Sequence, residues 1–239
     1  MVQLVSNYIT AELKMSDVIL RNSYLMLLLE HFEIEVPVLD KTVVQLCNDK
    51  GLNVELFLTF ANLYNGLNYK PEGFFSSRDL EHIVGYLKNS HRYYSEEMYP
   101  NISKIIKDMS DVNKYPEMHL VEKFFEEYFS EVTEHLEYEN EVVFPYILNL
   151  ISSNTSIKTT IDYSVSEYKE HHNDIEEKLD DLKNLIVRYL PHQNDRELRR
   201  RLLFSLFELD FDLTIHSKIE DKILIPLVSR IESQQIKIK

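Results

Sequence analysis

Hydrophobic residues recur at steps of three and four along most of this chain, which is the period of an amphipathic α-helix. In the C-terminal part the pattern forms four long segments separated by short runs rich in Pro, Ser and Asn. The segments lie near residues 77–108, 117–150, 162–190 and 195–232. Because short connections make successive helices antiparallel neighbours, the pattern predicts an all-α protein with an up-down-up-down four-helix bundle.

The N-terminal part carries shorter helical patterns with apolar residues of their own. We predict helices over residues 16–29, 42–49 and 53–64, with Ser16 or Asp17 as the cap of the first and Asn53 as the cap of the third. Gly51 is expected to end the second of these helices, since glycine adopts the left-handed conformation that commonly follows a helix. These elements are sufficient for a small helical unit.

A run of turn-forming residues lies between the short and the long helical patterns, at residues 65–73. Such runs are typical of boundaries between domains. The sequence therefore predicts a small helical N-terminal domain at residues 1–72 and a four-helix bundle at residues 73–239.

Ionisable residues interrupt the apolar face of each long segment. Each face carries one histidine, and two of the faces carry a glutamate four residues later. These residues are His91, His135, Glu139, His172, His216 and Glu220. Because all four faces meet at the axis of a bundle, we expect the six side chains to meet in its core.

Two of the long segments share one pattern, in which a histidine precedes a glutamate by four residues and a proline by ten. The copies are His135-Leu-Glu-Tyr-Glu139 before Pro145 and His216-Ser-Lys-Ile-Glu220 before Pro226. Residues four apart lie on the same face of a helix, so the imidazole and the carboxylate can hold one cation from one side. The pattern indicates a pair of metal ligands on each of two helices.

Four imidazoles and two carboxylates are costly to bury, because an isolated ionised carboxylate loses its hydration in an apolar core. Two cations would compensate for that loss, with two histidines on each ion and the glutamates bridging them. Such a bridged pair of ions inside a helical bundle is typical of di-iron carboxylate proteins. A zinc site and a structural network of His–Glu hydrogen bonds remain the alternatives.

Composition narrows the classes of function. The net charge of −14 argues against nucleic acid or an anionic membrane as the main partner. The single cysteine, Cys47, excludes an internal disulfide and a cluster of thiolate ligands, and it fits a reducing compartment. We find neither a secretory signal pattern nor an apolar run of membrane-spanning length, so we expect a cytoplasmic protein.

At these residues the chain resembles the hemerythrin-like family, and within it the branch of repair-of-iron-centres proteins. The resemblance rests on the two His-x-x-x-Glu pairs, on Glu170-His171-His172 in the third segment and on His91 in the first. Hemerythrins that carry oxygen have two histidines four residues apart in the third helix. Here Glu176 follows His172 at that spacing, so the iron-repair branch is the better match.

The resemblance covers roughly residues 77–232 and implies a non-haem di-iron centre with two histidines on each iron and an oxo or carboxylate bridge. It implies the six histidines and glutamates of the apolar faces as ligands. The expected small ligands are O2, NO or peroxide.

The N-terminal part resembles the small domain that precedes the bundle in the repair proteins, in the segments Phe32–Glu35 and Asp40–Cys47. Those domains carry adjacent cysteines where this chain has Val36 and Pro37. The thiol chemistry of that pair is therefore absent, which indicates a family member that kept the metal centre and changed its use.

The resemblance implies a role in the oxidative or nitrosative stress response, through repair of iron–sulfur clusters or handling of iron, with an iron–sulfur or regulatory protein as partner. Two alternatives stay open. One is a sensor or binding module for O2, NO or redox state, and the other is an enzyme that reduces peroxide, O2 or NO.

The helical register separates the adjacent residues His171 and His172, since only His172 lies on the apolar face. We expect His172→Ala to remove about half or more of the bound metal and His171→Ala to leave it nearly intact. Metal analysis of the two purified variants checks this, and equal losses would contradict the register.

Overall fold

The computed structural model describes residues 7–67, 75–152, 175–191 and 194–236. These residues form helices and contain no strand, apart from one isolated antiparallel bridge between Lys14 and Thr42. The predicted all-α class is confirmed. Within the described residues, none of the helices combines the length and the apolar character needed to cross a membrane.

The N-terminal part contains four short helices. They are α1 (Met15–Arg21), α2 (Leu25–His31), α3 (Val43–Lys50) and α4 (Val54–Tyr64). The sequence predicted one helix where α1 and α2 lie, and that prediction is wrong because Asn22 leaves the helical conformation after α1. Its side-chain amide donates to the carbonyl of Tyr64 at 3.0 Å and accepts from the N–H of Tyr24 at 3.2 Å, which fixes the break.

The helices α3 and α4 begin and end as the sequence predicted. Thr42 accepts a hydrogen bond from the N–H of Gln45, whose side chain accepts from the N–H of Thr42 in return, so both donors are satisfied. Gly51 follows α3 with φ +67°, a left-handed conformation that glycine adopts without strain. Asn53 caps α4 through the N–H groups of its first turn.

Among the described residues, three of the long segments contain one π-helical turn, and the residues on either side of each turn have α-helical backbone angles. The first segment comprises α5 (Ser77–Tyr93), a π turn (Tyr94–Met98) and α6 (Tyr99–Val112). The second comprises α7 (Pro116–Tyr138), a π turn (Glu139–Val143) and α8 (Phe144–Ile151). The third is described as α9 (Ile175–Arg188), and its predicted beginning near residue 162 lies outside the described residues. The fourth comprises α10 (Arg196–Ile219), a π turn (Glu220–Leu224) and α11 (Ile225–Ile236).

Each π turn ends two residues before a proline, namely Pro100, Pro145 or Pro226. Proline has no N–H to donate, and its ring crowds the carbonyl four residues earlier in a regular α-helix. In each case the residue before the proline bonds instead to the carbonyl five residues back, which widens the turn. As a result, Glu139 and Glu220 each occupy the first position of a widened turn.

The described residues divide into two compact units. The first contains those up to residue 89, residues 150–152 and those from 218 onward, and the second contains residues 90–149 with the described part of 153–217. In the second unit, α7 packs against both α6 and α9. The side chain of Lys183 in α9 forms an ion pair with Asp210 in α10 at 2.6 Å.

Most apolar members of the predicted faces that fall within the described residues are buried. The buried members are Leu80, Val84, Leu87, Tyr94 and Met98; Val121, Phe125, Tyr128 and Val132; Leu179, Leu182 and Ile186; and Leu202, Leu209, Leu213, Ile223 and Leu227. Two positions of the predicted apolar faces, Val142 and Tyr189, are not buried. Val142 is only half-buried and Val143 takes its place, because the π turn adds a residue before it, and Tyr189 is 70% exposed because α9 ends at Arg188.

The side chain of Arg199 in α10 holds the end of α9. It donates to the carbonyls of Ile186, Leu190 and Pro191 at 3.2, 3.0 and 2.7 Å, and it forms an ion pair with Asp195 at 2.8 Å. The carbonyls at the end of a helix have no partner within it, so one guanidinium satisfies several groups at once.

We expect Arg199→Ala to lower the free energy of unfolding by about 2–3 kcal/mol, because it removes hydrogen bonds from a charged donor to half-buried carbonyls. The neighbouring exposed Arg200 is the matched control, and Arg200→Ala should change stability by less than about 0.5 kcal/mol. Denaturant unfolding followed by circular dichroism measures both. Equal effects would contradict the role given to Arg199.

Candidate metal centre

Four side chains from three of the long helices come together in a buried group. Each of His91, Glu139, His216 and Glu220 offers one potential ligand atom, and these atoms lie within 4.8 Å of one another. The residues are 2%, 0%, 5% and 0% exposed, respectively. The two histidines lie in α5 and α10, and each glutamate is the first residue of a π turn.

The Nε2 atom of His91 lies close to both the Nε2 atom of His216 and the carboxylate of Glu139. The Nε2 of His91 lies 3.3 Å from the Nε2 of His216 and 3.2 Å from Oε2 of Glu139. The ring of His91 stacks on Phe144, with the ring centroids 5.4 Å apart, so its position is supported by packing. Glu220 follows His216 by one helical turn on the same helix, as the spacing predicted.

The second oxygen of Glu139 faces another imidazole. Its Oε1 lies 3.2 Å from Nε2 of His135, which is four residues earlier on the same helix and 14% exposed at its side chain. One carboxylate therefore presents its two oxygens to two imidazoles in different directions. This is the arrangement that a carboxylate adopts when it bridges two cations, with one oxygen on each.

The distances suit ligands of a common cation. Nitrogen and oxygen ligands lie about 2.0–2.2 Å from such an ion, so two neighbouring ligands are separated by about 2.8–3.6 Å in octahedral or tetrahedral geometry. The separations of 3.2 and 3.3 Å around His91 fall in that range. The donor set of imidazole nitrogens and carboxylate oxygens also matches what iron, manganese and zinc accept.

Electrostatics favour a cation at this position. Glu139 and Glu220 are both fully buried, and like charges so close together in a low-dielectric core repel each other strongly. Imidazoles provide hydrogen bonds but carry a positive charge only when protonated. A divalent cation among these oxygens and nitrogens would neutralise both carboxylates while leaving the imidazoles neutral, as metal ligation requires.

The structure places five of the six residues singled out by the sequence close together. They are His91, Glu139, His216 and Glu220, with His135 next to Glu139. The sixth, His172, lies outside the described residues, as does His171. The spacing of four and the apolar register thus pointed to side chains that lie close together, and their role as ligands stays a prediction.

Sequence reasoning missed a buried carboxylate beside this group. Asp212 is 1% exposed and lies four residues before His216, so the same spacing could have found it. Its Oδ2 accepts a hydrogen bond from the hydroxyl of Tyr94 at 2.8 Å, and the ring of Tyr94 contacts His216 edge-on at 5.8 Å. Tyr128, which also lies on an apolar face, accepts a hydrogen bond from the hydroxyl of Tyr99 at 3.5 Å and packs in the core.

Comparison with protein families gives one match, and it coincides with this region. Residues 82–194 match the family model described as the hemerythrin HHE cation-binding domain. The matched region contains His91, His135 and Glu139, and it ends before His216 and Glu220. Comparisons with curated proteins and with solved structures gave no match. Residues 82–194 are thus similar to a cation-binding domain, and the buried His and Glu group provides side chains that could bind a metal ion.

Proposed function

We propose that this chain is a hemerythrin-like non-haem di-iron protein. The observation that carries the proposal is the position of Glu139, whose Oε2 faces His91 and whose Oε1 faces His135 at 3.2 Å each. A buried carboxylate needs hydrogen bonds or positive charge to offset its lost hydration, and two cations on opposite sides would supply positive charge to both oxygens. A hydrogen-bonded network without metal would instead need protons on these imidazoles or on the carboxylate.

The residues divide between two ions. His91 and His216 would hold one, since their Nε2 atoms lie 3.3 Å apart, and Glu139 would share its oxygens between both. His135 would hold the other together with His172, which the sequence places on the apolar face of the third helix. Glu220 would complete the shell as a second carboxylate. When bound, such a pair of irons supplies positions at which O2, NO or peroxide can bind.

The use we propose for this centre is in the response to oxidative or nitrosative stress in the cytoplasm, through repair of iron–sulfur clusters or handling of iron. The support is the resemblance of the residues to the repair-of-iron-centres branch. The chain departs from that branch in lacking the adjacent cysteines, so iron would leave or enter through the His and Glu ligands alone.

Cys47 does not replace the missing pair. Its side chain is fully buried, and burial raises the pKa of the thiol to about 12. A group whose pKa lies so far above neutrality stays protonated, and the protonated thiol is a poor nucleophile and metal ligand. The proposed iron handling therefore uses no thiol of this chain.

Experiments can distinguish two other uses of the same centre from the repair of iron–sulfur clusters. A sensor or binding module would change its spectrum reversibly with O2 or NO without consuming it. A di-iron enzyme would consume peroxide, O2 or NO with steady turnover. Repair predicts neither turnover nor a purely reversible response, but transfer of iron to an apo iron–sulfur protein.

The first prediction from the proposed function concerns the metal content of the purified chain. Purified under iron-replete conditions, the natural chain should hold about two iron ions. Glu139→Gln should lower the iron content at both positions, because the carboxylate contacts both, whereas His135→Ala should spare the ion held by His91 and His216. The exposed Glu141 is the control, and Glu141→Gln should keep the full content.

Elemental analysis with an optical spectrum measures these contents. Glu139→Gln with unchanged iron would contradict the bridging role. Loss of both ions from His135→Ala, in a variant that circular dichroism shows to be folded, would contradict the division of the ligands.

The second prediction concerns function. The iron-loaded chain should restore activity to an iron–sulfur protein whose cluster has been destroyed by NO or peroxide, and Glu139→Gln should fail to do so. A control without the chain but with the same amount of free ferrous iron measures non-specific reconstitution. Restoration no faster than in that control would contradict the repair proposal and favour sensing or turnover.

The third prediction concerns Cys47. In the folded chain, its reaction with a thiol reagent at neutral pH should be slower than in denaturant by at least about a hundredfold, because burial suppresses the thiolate. Absorbance of the released chromophore follows both reactions. Comparable rates would show that the thiol is accessible and ionised, and would restore thiol chemistry as an option.

A further inference from the structure

Two polar residues contact the outer nitrogens of the buried histidines. The Oδ1 of Asn140 lies 3.1 Å from Nδ1 of His91, and the Oγ of Ser90 lies 2.8 Å from Nδ1 of His216. In both rings the other nitrogen, Nε2, is the atom that faces Glu139 or the second histidine. Each imidazole therefore uses one nitrogen toward the centre and the other toward a polar partner.

The contact of Asn140 fixes the tautomer of His91. An amide oxygen can only accept a hydrogen bond, so Nδ1 of His91 must carry the proton. In the neutral ring this leaves the lone pair on Nε2, directed toward Glu139. The stacking on Phe144 holds the plane of the same ring, so both its orientation and its tautomer are set.

The contact of Ser90 acts on the other histidine. Ser90 is fully buried, and its hydroxyl can accept a hydrogen bond from Nδ1 of His216 when Nε2 serves as a ligand. Its 2.8 Å contact also limits rotation of the ring about its bond to the backbone. The edge of Tyr94 contacts the same ring at 5.8 Å.

The two contacts interlock three helices. Ser90 is adjacent in sequence to His91 but contacts His216 on α10, and Asn140 is adjacent to Glu139 but contacts His91 on α5. Each of these polar residues thus links a ligand on its own helix to a ligand on another helix. A shift of one helix would move a ligand and the partner of a second ligand together.

We propose that Ser90 and Asn140 are positioning residues that hold the Nε2 atoms of His216 and His91 ready for a common cation. This inference rests on the proposed metal centre. Removal of such an outer hydrogen bond in metalloproteins typically lowers metal affinity by about 10–100-fold, since the ring must then be ordered by the metal itself. Neither residue would touch the ion.

The test uses the full chain, stripped of metal and titrated with Co²⁺, whose visible absorption reports ligation. Asn140→Ala and Ser90→Ala should each weaken Co²⁺ binding by about 10–100-fold. Asn140→Asp should restore the affinity, because a carboxylate also accepts from Nδ1–H, and this rescue separates positioning from a merely structural role.

Matched controls come from the first long segment. The hydroxyl of Ser95 donates to the carbonyl of His91 and touches neither ring, so Ser95→Ala should leave Co²⁺ affinity unchanged. Asn101 is exposed and contacts Ser205, so Asn101→Ala should also have no effect. These variants measure what the loss of a serine or an asparagine does by itself.

A second readout follows the rings directly. In the Co²⁺-loaded chain, the exchangeable Nδ1 proton of each bound imidazole gives a strongly shifted proton NMR signal. The signal of His91 should exchange with water at least about tenfold faster in Asn140→Ala than in the natural chain, because its acceptor has been removed. The signal of His216 should respond in the same way to Ser90→Ala.

Unchanged affinity and unchanged exchange in both variants would overturn the inference while leaving the metal centre intact. Weakened affinity in Asn140→Asp as well as in Asn140→Ala would also overturn it for His91. Failure of the natural chain itself to bind Co²⁺ would refute the proposed centre and the positioning role together.

Discussion

The structure depends on a carboxylate that is fully removed from water and placed between imidazoles. Glu139 is 0% exposed, and its two oxygens lie 3.2 Å from the Nε2 atoms of His91 and His135. In an apolar core such a group is tolerated only with compensating positive charge or a shared proton. The proposed pair of cations would meet that requirement for Glu139 and for the nearby buried Glu220 at once.

The helices are built to bring these residues together. A regular α-helix carries the histidine and the glutamate to the same face through a spacing of four. The prolines at positions 100, 145 and 226 then require a widened turn just before them, and in two cases that turn begins at the glutamate itself. In those two helices, the turn that accommodates the proline and the candidate metal ligands therefore occupy the same short stretch.

Much of this could be predicted from the sequence because it follows from local periodicity. The burial of His91, Glu139, His216 and Glu220 was predicted by their register with apolar neighbours, and the cap at Asn53 by residue type. The π turns were not predicted, although the recurrence of proline after each site was a usable signal. Tyr189 was misplaced because helix ends are set by local capping rather than by periodicity.

Other features lay beyond sequence reasoning because they depend on the distance between helices. The contacts of Ser90 with His216 and of Asn140 with His91 join residues more than forty positions apart, and nothing in either neighbourhood marks them. The same holds for the bond between Tyr94 and Asp212. The local sequence pattern identifies candidate ligands, whereas the packing of the helices determines which polar residues orient those ligands.

The central claim is that two irons flank the carboxylate of Glu139. Crystals of the chain purified with iron, measured on both sides of the iron absorption edge, test it most directly. The account predicts two anomalous peaks about 3.5–4 Å apart, one beside His91 and His216 and the other beside His135. A single peak, or none among these residues in a protein prepared with excess iron, would contradict it.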